Sequence, residues 1–360
     1  MPEPSGPSEQ DLTDRLASRL LALIDLPSVS HDEAAIAAYV ERELGELARN
    51  AGDRCVLAGV TERAARPLVL LAGHLDTVPE QDNLPARRDG DTIHGLGACD
   101  MKAALAVMIE LALAPGDART ADLGLVFFPR EELPFGDTAL TPLLEREPGL
   151  ASADLAVVME PTANGIQLGC LGNINATWTF TGTAGHSARP WLADNAIHQA
   201  AAAVADLARD LPVVQQFRGL EYREVTSAVM VAGGIARNVI PDSCEVQLNH
   251  RYGPGTSAAT AEERLRARCE PFGALTIDGN APSGRVAEQN DLLDRLLVAA
   301  AVQAPEPKQA WTPVAEFGLV GVDAVNFGPG DPAFAHRRDE QVSLAAMVRS
   351  YQALDSLLCG

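Results

Sequence analysis

Three short apolar runs, each followed closely by acid or histidine, constrain the fold of this 360-residue chain more than any other feature. They are residues 67–72 (PLVLLA), 123–128 and 155–159. Continuous apolar runs of this length suit strands buried on both faces. A helical stretch over 102–113 separates the first two, and a further apolar strand is predicted at 322–327. Strands alternating with helices predict an α/β fold, a mostly parallel sheet flanked by helices. Two helices are expected ahead of it. One spans about 8–25 with Leu12, Leu16, Leu20 and Leu23 on one face; the other is headed by a capping-box pair, Ser30 and Glu33.

The middle of the chain follows another rhythm. Residues 174–181 (INATWTFT) are β-rich. Asp194 is placed to cap a helix carrying Ile197, Ala201, Val204 and Leu207. Strands at 226–231 and 244–249, a helix at 260–269 and a strand at 275–277 follow. This β-α-β-β-α-β order is the ferredoxin-like pattern. The expected organisation is therefore an α/β domain made from 1–170 and 281–360, with an α+β lid domain inserted at 171–280.

Composition limits what such a chain binds. A formal net charge of -21 repels phosphate backbones and anionic lipid, so neither nucleic acid nor a membrane surface is expected as a partner. An anionic substrate would need a local cationic site, which bound divalent metal can provide. The six cysteines (Cys55, Cys99, Cys170, Cys244, Cys269 and Cys359) are scattered without a C-x-x-C pair. That speaks against a disulfide framework and against a thiolate metal site, and for a reducing cytoplasm. The start, MPEPSGPSEQ, lacks an apolar core, so no secretory leader is expected. The longest apolar stretch, near 103–114, is interrupted by Glu110 and is too short to span a bilayer.

Five short sites stand at strand ends or helix mouths, where open α/β sheets bind ligands. The first is Gly73-His74-Leu75-Asp76; Asp76 is placed to orient His74 or to lie just behind it. The second, Gly95 to Lys102 (GLGACDMK), presents Asp100, whose carboxylate would give one oxygen to each of two cations. Glu131-Glu132 is the third: one suits a metal, the other a general base with a raised or shared proton. Glu160-Pro161-Thr162 and His336 complete the set. Singly, each is an ordinary cap, turn or surface acid. Together, two histidines and three carboxylates form an oxygen-and-nitrogen donor set without sulfur, suited to zinc, cobalt or manganese with room for water.

In order along the chain, GHLDTVP, GLGACDMK, REE, EPT, GHSARP, NVIP and AHRRDE make the sequence resemble the dinuclear-zinc aminoacylase/carboxypeptidase family of metallopeptidases. The resemblance covers essentially the whole chain, and it implies the following roles. His74 and Glu160 bind one metal ion, Glu132 and His336 the other, and Asp100 bridges both. Asp76 supports His74. Glu131 moves the proton from water to the leaving amine. The lid forms a homodimer interface, and His186 reaches the partner's site to stabilise an oxyanion. Asn238 and Arg251 hold substrate carboxylates, and Thr312 and Gly328 line the pocket wall. One departure is Cys170-Leu171-Gly172, where some members carry Arg-Arg-Gly. Arg189 is a candidate replacement cation, with a solvated lid arginine as the alternative.

The expected reaction is hydrolysis of an N-acyl amino acid, first of all N-succinyl-L,L-diaminopimelate. N-Acetylornithine deacetylation and a general aminoacylase or carboxypeptidase activity are the alternatives within the family. A non-catalytic metal-binding homologue, acting as a binding module, is the alternative from another class. Retention of Glu131, Asp100 and His186 together speaks against it.

Overall fold

Every residue of strand β1 (Leu68–His74) is buried, as is every residue of β2 (Asp122–Phe128) and β3 (Leu155–Val158). Side chains alternate between the two faces of a strand, so such runs require apolar cover on both sides of the sheet. In the computed structural model, which describes residues 9–360, these strands and β4 (Ala324–Asn326) run parallel in the order β2-β1-β3-β4. Antiparallel strands extend the array, Val56–Gly59 beside β2 and Gln167–Leu168 beside β4. The α/β architecture with a mostly parallel sheet thus follows the alternation in the sequence.

Helices α1 (Glu9–Ile24), α2 (Ala103–Leu113) and α3 (Leu344–Cys359) pack on one another. Helix α2 is buried from Ala103 to Leu111, which its near-absence of polar residues requires. Its one charged residue, Glu110, is held by Arg15 at 2.9 Å and Arg19 at 2.8 Å, both from α1. A second apolar layer joins Leu140, Leu143, Val314 and Phe317 to Leu70, Val126 and Val158 of the sheet. A small antiparallel sheet sets Gln341–Ser343 against Thr92–His94, and so brings the end of the chain beside residues 95–100.

The chain divides into two compact units. The one just described runs to Gly169 and resumes over Arg285–Glu306 and Thr312–Gly360; the other is Cys170–Gly284 with Pro307–Trp311. Cys170 and residues 281–284 were expected in the first, and so were residues 307–311. Residues 307–311 join the second through Gln309, which accepts from Arg223 N and donates to Glu221 O, and Trp311, which donates to Pro282 O.

The second unit holds an antiparallel sheet in which Gly172–Thr181 is flanked by Ser243–Tyr252 and Ala274–Ala281, and Leu220–Gly233 lies outside Ser243–Tyr252. Numbered along the chain, these four run 4-1-3-2, with helices Ala196–Leu207 and Ala258–Cys269 as the connections. Trp178, Phe180, Val246, Leu248 and Leu265 fill its core. A fifth strand, Val213–Phe217, forms a hairpin with the start of Leu220–Gly233, and no apolar alternation announces it.

Two expected caps are not made. Helix Ala34–Leu44 has no side-chain cap: Ser30 donates instead to Asp76 at 2.8 Å, and Glu33 accepts from His31 N and Arg54. Asn195, not Asp194, caps Ala196–Leu207, accepting from Ile197 N and His198 N. The backbone of Asp194 is tied to Thr183, which leaves its neighbour at the capping position. Ser8, the expected start of the first helix, lies outside the described residues.

Buried Glu316 accepts from the backbone and hydroxyl of Thr141 at 2.9 and 2.7 Å. Burial outweighs those bonds and pushes its carboxyl up from 4.5 to about 7. The folded state thus holds this proton more tightly than the unfolded chain. The stability it contributes is complete below pH 4.5 and is lost as pH rises through 7. Glu316→Gln keeps the acceptor and removes the charge. It is expected to stabilise the fold at pH 8 by on the order of 3 kcal/mol, seen as a higher melting temperature there, and to change it little at pH 4.5. Thermal melts of both proteins across pH 4–8 measure the difference.

Candidate metal centre

His74 is the last residue of β1 and is fully enclosed. Its Nδ1 lies 3.0 Å from the Asp76 carbonyl oxygen. Its Nε2 lies 3.1 Å from Asp100 Oδ1 and 4.0 Å from Glu160 Oε1. On the other side of Asp100, His336 Nε2 lies 2.9 Å from Glu132 Oε1 and 3.4 Å from Asp100 Oδ2. Three groups, His74-Asp100-Glu160, Asp100-Glu132-His336 and His74-Glu131-Glu132, each place their nitrogen and oxygen atoms within 4.8 Å of one another. Asp100 belongs to two of the three.

His74, Glu131, Glu132 and Glu160 are delivered by strand ends. Glu131 and Glu132 follow β2, and their backbone N–H groups both donate to the Asp76 carboxylate, at 3.0 and 3.1 Å. The Ser30 hydroxyl donates to the same carboxylate. Asp76 therefore joins the end of β1 to the turn after β2, while its carboxylate stays 3.6 Å from His74 Nδ1. Glu160 follows β3, and residues 326–330 close over its turn. A Cβ on Gly328 would stand 2.4 Å from the Met159 carbonyl oxygen and 2.7 Å from that of Glu160, so only glycine fits there. Asp100 precedes α2 on irregular backbone (φ -121°, ψ 93°).

Electrostatics shows how crowded the site is. Burial and the neighbouring Glu160 hold the Glu131 carboxyl well above its ordinary range. Burial opposes protonation of His74, but Asp100, Glu160 and Glu131 outweigh it and raise its proton affinity well above the usual value. Hydrogen bonds to Asp100 and Glu132 push His336 up to about 10. Asp100, although buried, is held low by the two histidines. Four carboxylates and two imidazoles that compete for protons in so small a volume are what a cluster of divalent ions would relieve. The donors are all oxygen or nitrogen, so the residues present fit such ions.

The other candidate residues fall in two places. Thr312 and Gly328 are buried in the first unit. His186, Arg189, Asn238 and Arg251 belong to the second. There, the short strand Gly185–His186 pairs with Val239–Ile240, and Ser187 N donates to Asn238 O, so His186 and Asn238 are neighbours. Arg189 N donates to the His186 carbonyl. Arg251 stands near the far end of strand Ser243–Tyr252, with its Nε donating to Asn249. Two residues given no part in the site from the sequence also serve it: Ser30, expected as a helix cap, through Asp76, and Glu340, whose carboxylate meets the Asp100 loop. The Asp339-Glu340 pair at the end of AHRRDE was the available signal for the second.

Comparison with known proteins agrees with this geometry. The model for peptidase family M20/M25/M40 matches residues 70–359. A Mycobacterium tuberculosis protein provisionally named a succinyl-diaminopimelate desuccinylase is 41% identical over 345 residues, 94% of this chain and 96% of its own. The succinyl-diaminopimelate desuccinylase of Corynebacterium glutamicum is 34% identical over 346 residues, 91% of this chain and 94% of its own. A Bacillus subtilis structure described as a dinuclear metal binding peptidase of the M20 family has the same fold, with TM-score 0.71 and 17% identity over 97% of this chain and 98% of that one. The chain belongs to peptidase family M20/M25/M40 and is an enzyme that hydrolyses amide bonds.

Proposed function

We propose that this enzyme cleaves the amide of N-succinyl-L,L-diaminopimelate, releasing succinate and L,L-diaminopimelate. The observation that carries the substrate is similarity to two proteins bearing that name along more than nine-tenths of each chain. In this reading two divalent ions, zinc in the first instance, would be held by His74, Asp100, Glu132, Glu160 and His336. When bound, such a pair polarises the amide carbonyl and acidifies water.

The chain's own groups then have distinct tasks. Asp76 holds the Glu131-Glu132 turn and backs His74. Glu131, with its proton affinity raised by burial and by Glu160, takes a proton as water adds to the carbonyl carbon. It gives that proton to the amine nitrogen as the C–N bond breaks. His186 reaches the site of a partner subunit and stabilises the oxyanion there, and Arg189, Asn238, Arg251, Thr312 and Gly328 contact the substrate.

The same reading includes a homodimer formed through the second unit. Strand Leu220–Gly233 pairs with Val213–Phe217 only over Leu220 to Glu224. Beyond that its outer edge meets no strand among the described residues, and Val229, Met230 and Val231 there are 57–71% exposed. Beside them, Ile197, Ala201 and Val204 line an apolar cleft. A long apolar edge of this kind favours strand addition by a second copy. The cytoplasm is the proposed location, in keeping with six unbonded cysteines.

Zinc-loaded enzyme is expected to release succinate from N-succinyl-L,L-diaminopimelate and to stop when treated with EDTA. Turnover of N-acetylornithine alone would keep the chemistry and overturn the substrate. Glu131→Ala is expected to lower turnover by roughly 10²–10⁴-fold while the ion content, read by elemental analysis, stays at the wild-type level. Val231→Asp is expected to give a monomer by analytical ultracentrifugation, with ions retained and turnover largely lost. A dimer of unchanged stability would remove this edge as the interface.

A further inference from the structure

The loop that carries Asp100 has little regular structure of its own. Gly97 is left-handed (φ 74°), and Asp100 and Met101 are both non-helical. A carboxylate at such a position would ordinarily sample several directions, because no helix or sheet ladder fixes its backbone. Here three successive requirements are met by one side chain. Glu340 Oε2 accepts from Gly97 N at 2.9 Å, and Oε1 accepts from Cys99 N at 2.9 Å and Asp100 N at 3.0 Å. Glu340 is 2% exposed, so these bonds have no competition from water. Its own carbonyl accepts from Gly95 N at 3.1 Å, which closes the loop from the other end.

Glu340 is also bound to the second histidine segment. It lies four residues after His336, and its N–H donates to the Arg337 carbonyl. Directly after it, Gln341 enters the strand that pairs with Thr92–His94. One side chain thus fixes the backbone of Asp100 and, through a short connection, the segment that presents His336.

We infer that Glu340 is a positioning residue that sets the direction of Asp100 and its register with His336, so that both ion sites depend on it. This inference rests on the metal-centre reading above. Only a carboxylate supplies acceptors for all three N–H groups. In Glu340→Gln, whichever way the amide turns, its NH₂ faces at least one N–H donor. Asp100 is then released from its place 3.1 Å from His74 and 3.4 Å from His336. Glu340→Asp keeps both acceptors with a shorter reach and should restore part of the loss.

The experiment measures zinc affinity by chelator competition on metal-free wild type, Glu340→Gln, Glu340→Asp and His74→Ala, together with their metal-free melting temperatures. The expected result is a loss of about 10–100-fold in affinity for both ions in Glu340→Gln, with Glu340→Asp in between and cooperative unfolding in each. Wild-type affinities in Glu340→Gln overturn the inference even if its melting temperature falls, because a purely structural role would move only the melt. If Glu340→Gln does not fold, Glu340→Asp decides: wild-type affinities there overturn the inference equally. Equal zinc binding by wild type and His74→Ala overturns the metal-centre reading and this inference with it. A normal His74→Ala defect beside unaffected Glu340 variants removes Glu340 alone.

Discussion

The arrangement of the first unit turns on Asp100, a largely buried carboxylate with a histidine at each oxygen, His74 at 3.1 Å and His336 at 3.4 Å. Those histidines come from opposite ends of the chain. His74 closes β1, and His336 lies in the last thirty residues. Neither charge nor geometry favours such a convergence by itself, since isolated carboxylates lose heavily on leaving water. What makes it tolerable is that each negative group faces a proton or a donor. Asp100 is held ionised by the two imidazoles, while Glu131 is pushed toward its neutral form by burial and by Glu160. The cluster therefore separates groups that stay charged from one poised to exchange a proton, the division that acid–base work on an amide needs.

Two further carboxylates do their work on the backbone. Asp76 accepts from Glu131 N, Glu132 N and the Ser30 hydroxyl; Glu340 accepts from Gly97 N, Cys99 N and Asp100 N. Both sit at loops that a sheet edge leaves without partners, and buried N–H groups must find an acceptor somewhere. A carboxylate offers several lone pairs at one point, so it can gather a loop that a single hydroxyl or amide could not. This explains why the centre holds more acids than ion binding would need: some of the negative charge there is structural.

The central strands and the chemistry at their ends were legible because both leave local marks. PLVLLA and the runs at 123–128 and 155–159 are too apolar for any place but a doubly covered sheet, and His74, Glu131-Glu132 and Glu160 follow them directly. The fourfold β pattern of the second unit was legible for the same reason. What the sequence concealed was competition between partners far apart in the chain. Ser30 and Glu33 form a good capping box by spacing, yet Asp76, 46 residues away from Ser30, takes the hydroxyl. Gln309 and Trp311 carry no strand or helix signal, and their attachment to Glu221 and Pro282 depends on contacts that only the folded chain creates. The Val213–Phe217 strand was missed because its exposed valines do not alternate with buried neighbours.

Backbone conformation around the centre argues in the same direction. Arg130, Ala163, Asn164 and His336 all adopt left-handed φ angles (64°, 52°, 64° and 59°), although none is glycine. Such residues cost free energy and persist only where their surroundings fix them. Arg130, immediately before Glu131, is tied by its guanidinium to Asp53 and to the Asp137 carbonyl. Asn164 donates to the Ala346 carbonyl and the Ser350 hydroxyl of α3, holding the turn after Glu160. The His336 carbonyl accepts from Gln81. Three of the segments that bring side chains to the centre are thus held in unfavourable backbone states by bonds to other parts of the first unit. A looser scaffold would let these turns relax and would spread the carboxylates apart, which their mutual repulsion already favours. The packing of β1 to β4 and their helices therefore does more than bury apolar surface. It supplies the rigidity against which a strained, like-charged cluster can be held at distances short enough for shared ions.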